Sequence, residues 1–134
     1  MLIITNMARL ILYMSEVYVG KEHDFSILKH EFGSRRGWFK KFTVLVDLGF
    51  KGFKDHYKCR SLKIPHRKKR QRELDDKQKE ENKAISRQRI YVEHGIGGMK
   101  RYGILKERVR NKDWVGFNRI SGVCAGLWNF TLSV

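Results

Sequence analysis

Two carboxylates stand in settings where chemistry would account for them. Glu93 is the single acid in RQRIYVEHGIGGMKRYG, residues 87–103, a run of cations with helical spacing. On a helix advancing 100° per residue, Asn82, Arg89 and Lys100 project within about 40° of Glu93. One stripe therefore carries an amide, a cation, the carboxylate and a second cation. Beside it Ile85, Val92, Ile96 and Met99 form an apolar stripe that would anchor the helix to a core. Glu93 would thus lie at the margin of a buried face, where a carboxylate is costly unless it is paired or holds a metal. Arg89, one turn earlier, offers the plain account, a helix salt bridge worth only tenths of a kcal/mol. That pair leaves Gly95, Gly97 and Gly98 unexplained, since each interior glycine costs roughly 0.5 to 1 kcal/mol relative to Ala. The cost predicts that another backbone comes close there, a nucleic-acid strand among the candidates.

The second acid is Asp47, in FTVLVDLGF over residues 42–50. Val44-Leu45-Val46 is a continuous apolar run, the pattern of a strand buried on both faces. Asp47 follows at once, at the strand exit where α/β folds place their sites, although a turn-starting Asp reads the same way. Downstream of the sole proline, Pro65, the cluster Arg67, Lys68, Lys69, Arg70 and Arg72 is a candidate phosphate-contacting loop or a solvated charge run.

The elements that must position these residues are legible in outline. Leu2–Thr5 and Arg9–Tyr18 read as a β-hairpin about a turn at Asn6-Met7-Ala8. A helix follows with Asp24 as its N-cap and Phe25, Leu28 and Phe32 at helical spacing before Gly33. Helical pattern resumes from Asp75 to about Tyr102 and again over Trp114–Thr131, with Val115, Ile120, Val123, Leu127 and Phe130 as core candidates. A chain of 134 residues with 41% hydrophobic composition has the size of one domain, residues 1–134.

The 29 Lys and Arg against 14 Asp and Glu give a formal charge of +15. A field of that sign draws polyanions, so nucleic acid is the first partner to consider. A small ribosomal-type RNA-binding protein would share the charge but has no use for the Asp47 and Glu93 constellation. Cys59 and Cys124 form no CxxC or Cys/His quartet, so neither a disulfide framework nor a zinc site is expected. The apolar start, MLIITNMARLILYM, is interrupted by Asn6 and Arg9 and falls short of the roughly 20 residues that span a bilayer. It also lacks the basic start of a signal peptide, so a membrane is not among the expected partners and the expected location is inside the cell.

The order GKEHDF, VLVDLGFKG, KIPHRKK and NKAISRQRIYVEHGIGGMKR resembles the C-terminal part of DDE transposases of the insertion-sequence and PIF/Harbinger endonuclease type, over roughly residues 15–130. Its most specific piece is Arg89, three residues, Glu93, six residues, Lys100, with Ser86 where the signature often has Tyr. Asp47, Gly49, Phe50 and Gly52 match a D-x-G-[YF]-x-G block. The resemblance implies an α/β fold similar to ribonuclease H, a mixed sheet flanked by helices, in which three acids bind two Mg²⁺ or Mn²⁺ ions for phosphodiester displacement. It makes Asp47 and Glu93 catalytic metal ligands and assigns DNA contacts to Arg89 and Lys100, with Asn82 on their stripe and Lys68, Lys69 and Arg70 in the basic loop. It also implies transposon-end DNA as substrate, and homo-oligomers or an upstream transposase fragment as protein partners. The location implied is the cytoplasm in a prokaryote and the nucleus in a eukaryote. One departure matters: the family's first Asp, on its first strand, has no counterpart, because no acid precedes Glu16. The fold is therefore expected to be incomplete and the chain inactive alone, with a non-catalytic basic nucleic-acid-binding protein of transposase descent as the alternative.

Overall fold

The structure, a computed structural model, describes residues 1–18, 20, 22–105 and 113–134. They form two compact units, Met1–Gly20 with Ile90–Val134, and Lys21–Arg89.

In the first unit Asn6 closes a hairpin. Its side chain accepts from the Leu10 amide and its carbonyl from the Arg9 amide, both at 3.0 Å, which leaves Arg9 in the left-handed region at φ 70. β1 (Ile3–Thr5) and β2 (Ile11–Met14) pair antiparallel, Ile3 opposite Met14 and Ile4 opposite Tyr13. The hairpin is the expected one, with a shorter second strand. Beyond Met14 the backbone turns to side-chain partners: the Ser15 hydroxyl accepts from the Leu2 amide, and the Val17 amide donates to Asn118 Oδ1.

α4 (Trp114–Ser133) starts at Asp113, whose Oδ1 accepts from the Gly116 amide at 2.9 Å. Asn129 ties the helix to β2, its Oδ1 accepting from the Ile11 amide at 2.8 Å and its Nδ2 donating to the Ile11 carbonyl at 2.9 Å. Both backbone groups would otherwise need water. The helix spans the expected residues but buries the opposite face. Ser121, Cys124, Ala125 and Trp128 are inside, whereas Val115, Ile120, Val123, Leu127 and Phe130, expected in the core, are exposed. Apolar residues run nearly all round this helix, so periodicity alone could not choose a face. The choice falls to Asn118 and Asn129, which must reach backbone, and to the small Ser121 and Ala125 between them. Burial raises the Cys124 thiol above its ordinary range, consistent with an inert packing role.

α3 (Asp76–Lys100) is one continuous helix of 25 residues. A reciprocal cap starts it: Asp75 Oδ1 accepts from the Gln78 amide at 2.7 Å and Gln78 Oε1 from the Asp75 amide at 3.2 Å. Two of its glycines are explained from within the protein, which corrects the expectation of an approaching nucleic-acid strand at those positions. A Cβ at Gly95 would meet the Arg9 carbonyl oxygen at 3.0 Å and Thr5 Cγ2 at 3.2 Å. A Cβ at Gly98 would overlap the indole of Trp128, and that indole donates to the same Arg9 carbonyl at 2.9 Å. Gly97 alone faces open space.

The second unit is built on aromatic side chains. α1 (Asp24–Glu31) presents the buried Ile27 and Leu28. Its cap position is His23 rather than the expected Asp24, which instead lies in the first turn, where a carboxylate complements the helix dipole. β3 (Thr43–Leu45) and β4 (Ser61–Lys63) pair in parallel, Val44 opposite Leu62. The crossover between them holds a 3-10 turn, Leu48–Phe50, and the short α2 (Phe53–His56). Phe53 and Tyr57 are buried there. The Tyr57 hydroxyl lies 3.0 Å from the Leu28 carbonyl and 2.6 Å from that of Phe32, supplying a donor to the C-terminal end of α1.

The fold is α/β, but the described strands form two separate two-stranded sheets rather than one mixed sheet. The Val44–Val46 run is correspondingly not buried on both faces. With β4 as its one strand neighbour, β3 is half-buried and only Val46 reaches the core.

The three glycines of α3 give paired predictions of opposite sign. Gly97→Ala should stabilise the protein by about 0.5 to 1 kcal/mol, because helix propensity rises and nothing is displaced. Gly98→Ala should destabilise it by about 1 to 3 kcal/mol, because the added methyl must push the Trp128 ring aside. Urea denaturation of both variants measures the two signs directly.

Candidate functional site

Asp47 follows β3 by two residues and caps the 3-10 turn, and the D-x-G-F-x-G block explains how it is held. The Asp47 backbone is extended, at φ −88 and ψ 179, and Oδ1 accepts from the Gly49 amide at 2.8 Å. A Cβ on residue 49 would meet Oδ1 at 3.0 Å, so glycine lets the carboxylate fold back onto its own turn. Phe50 anchors the turn against Phe25, ring centres 5.7 Å apart. Gly52 takes φ 93, open to glycine and strained for other residues, and a Cβ there would lie 3.8 Å from the Phe25 ring. Gly49, Phe50 and Gly52 therefore each serve the placement of one exposed carboxylate.

Glu93 lies on the exposed side of α3 in the first unit, while Gly95 and Met99 of the same helix are buried. The neighbouring apolar stripe is as expected: Ile85 and Met99 are buried, and Val92 and Ile96 are half-buried. Lys100 is exposed and Arg89 half-buried. Glu93 and Asp47 belong to different units. Carboxylate oxygens suit Mg²⁺ or Mn²⁺ as hard donors. Among the described residues no three His, Cys, Asp or Glu side chains form a group that could hold a metal ion.

The basic loop is an ordered structure rather than a plain charge run. Lys69 and Arg72 form an isolated antiparallel bridge, and Lys68 Nζ lies 3.1 Å from Glu73 Oε1. Lys68, Lys69 and Arg70 are all exposed. The loop is fastened to α3 by Asn82, whose Oδ1 accepts from the His66 amide at 2.7 Å and whose Nδ2 donates to the His66 carbonyl at 3.0 Å. The His66 ring also pairs with Glu81, and Lys63 Nζ donates to Gln88 Oε1 at 3.1 Å. Asn82 thus has a positioning task that its place on the Glu93 stripe did not reveal. An Asn presented by a helix to a Pro-containing segment is the signal that could have shown it.

The sequence profile described as DDE superfamily endonuclease matches residues 1–129. A probable transposase for insertion sequence element IS702 from Microchaete diplosiphon is 30% identical over 115 residues, covering 86% of this chain. The chain spans 40% of that relative's length. No solved structure gives a significant match. The profile covers nearly the whole chain, including Asp47 and Glu93, and on that ground the chain belongs to the DDE superfamily endonuclease family.

Proposed function

We propose that this chain is the C-terminal part of a DDE transposase catalytic domain with a fold like ribonuclease H, acting on DNA with Mg²⁺ or Mn²⁺. The observation that carries the reading is the family match over residues 1–129, and on this reading Asp47 and Glu93, which lie within it, are two of the three acids. On this reading both units are parts of one catalytic domain of residues 1–134, and the third acid comes from outside these residues. Divalent ions, when bound, would stabilise the attacking and leaving oxygens of an in-line phosphodiester displacement.

The residues have distinct tasks. Asp47 and Glu93 offer carboxylate oxygens to the ions. Arg89 and Lys100 flank Glu93 on its helix and contact the phosphates or the terminal strand. Lys68, Lys69 and Arg70 contact backbone phosphates without reading sequence. Asn82, on the Glu93 stripe, contacts DNA and also holds the basic loop through the His66 backbone. The expected setting is intracellular, and the wider assembly is a homo-oligomer or a complex with an upstream transposase segment. No helix among the described residues is long and apolar enough to cross a membrane.

Purified residues 1–134 with Mn²⁺ should leave DNA uncut, because positioned charge supplies most of the rate in phosphoryl transfer and one acid is missing. Addition of a polypeptide carrying the upstream Asp-bearing strand should restore cleavage, and Asp47→Ala or Glu93→Ala should abolish it. Cleavage by the chain alone would overturn the incomplete-site reading. DNA binding is checked separately: neutralising Lys68, Lys69 and Arg70 together should weaken affinity for any sequence. The same change should flatten the plot of log affinity against log salt by up to about three units of slope. An unchanged slope would return the loop to the solvated-surface reading, and with it favour a protein that has kept neither contact nor chemistry there.

A further inference from the structure

The segment joining α1 to β3, residues 34–42, carries a pattern that the proposed catalytic residues do not use. Its sequence, SRRGWFKKF, interleaves four cations with three aromatics, and no carboxylate occurs between Glu31 and Asp47. The backbone is fixed at several points. Gly37 takes the left-handed conformation at φ 59, and its carbonyl accepts from the Lys40 amide at 3.2 Å. The Phe42 amide donates to the Phe39 carbonyl at 3.0 Å, and the Phe42 carbonyl accepts from the Arg60 amide at 2.9 Å.

Of the three aromatics, only one is spent on the core. Phe39 packs with its ring centre 5.1 Å from Tyr57 and 5.4 Å from Phe53. Trp38 and Phe42 flank it and remain 42% and 61% exposed. Burying such side chains would stabilise the fold, so their exposure forgoes a sizeable gain. Trp38 is nonetheless held, edge to face with Phe32 at 5.3 Å and with the Arg36 guanidinium 5.9 Å from its ring. Arg35, Arg36, Lys40 and Lys41 lie within three residues of it along the chain, all exposed.

We propose that this segment is a platform for unpaired nucleotides, with bases stacking on Trp38 and Phe42 and phosphates meeting Arg35, Arg36, Lys40 and Lys41. Exposed aromatic faces held beside cations are the chemistry that single-stranded nucleic acid requires, because every base has a π-face and every linkage a negative charge. A paired duplex hides its base faces in its own stack, so it can use the cations but not the rings. An acidic protein segment would be drawn by the same cations but would leave the two rings unused. The proposal shares with the proposed function only the nucleic-acid partner and depends on neither Asp47, Glu93 nor a metal.

The test measures binding in EDTA, where no metal-dependent step contributes. A fluorescently labelled single-stranded oligonucleotide of mixed sequence and its duplex are titrated with the full chain. The single strand should bind more tightly. Trp38→Ala and Phe42→Ala should each weaken single-strand binding by about 5- to 100-fold while changing duplex affinity by less than about twofold, and Trp38→Phe should keep most of the wild-type affinity. Phe42 is the safeguard against misfolding, since its exposed ring can be truncated with little loss of packing. Equal losses on both DNAs, or no loss on either, would overturn the proposal. Competition by poly-glutamate that depends on Trp38 would overturn it in favour of an acidic protein partner.

Discussion

The unit that contains Glu93 is organised around a single backbone oxygen, the carbonyl of Arg9. The hairpin turn fixes it by forcing Arg9 to a positive φ, at 70. The Trp128 indole donates to it from α4, and Gly95 of α3 leaves room for it. Trp128 in turn fits against α3 only because residue 98 has no side chain. Hairpin, α3 and α4 thus meet at one point, and the face that α3 turns to this junction sets which of its residues remain outside. Glu93 is one of them. The glycines that make RQRIYVEHGIGGMKRYG poor as a helix are therefore what orient the carboxylate it carries.

Asp47 is positioned by a different economy. Its turn contains no residue whose task is purely to fill space: Gly49 admits the carboxylate, Phe50 pins the turn to α1, and Gly52 takes a backbone angle open to few other residues. The acid is exposed, and Oδ1 accepts a hydrogen bond from its own turn. A carboxylate whose only role was to start the turn would need the first of these contacts. The cost of two glycines and an aromatic anchor is easier to understand if the direction of the carboxylate matters.

Local pattern makes much of this legible in the sequence. The hairpin, α1, α3 and α4 were all readable because each has its own periodicity and its own turn or cap residues within a few positions. What failed depended on distance along the chain. The Arg9 to Trp128 contact joins residues 119 apart, so nothing local could say why Gly98 lacks a side chain. The buried face of α4 was misjudged because its apolar residues favour no single side, while the deciding asparagines looked merely polar. Asn82 was placed on the correct helix stripe, but its partner lies in the loop sixteen residues earlier. Trp38 and Phe42 are not legible in the sequence, because three aromatics in one short segment look alike there and only their exposure separates these two from Phe39.

The proposed function rests on Asp47 and Glu93 as divalent-ion ligands, and a Mn²⁺ titration of thermal stability tests that proposal most directly. Ion binding to the folded state should raise Tm by mass action. If one site uses both acids, Asp47→Asn and Glu93→Gln should each remove nearly the whole rise, and the double variant should remove no more than either single one. Independent, additive losses, or a rise that survives in both single variants, would contradict a shared site.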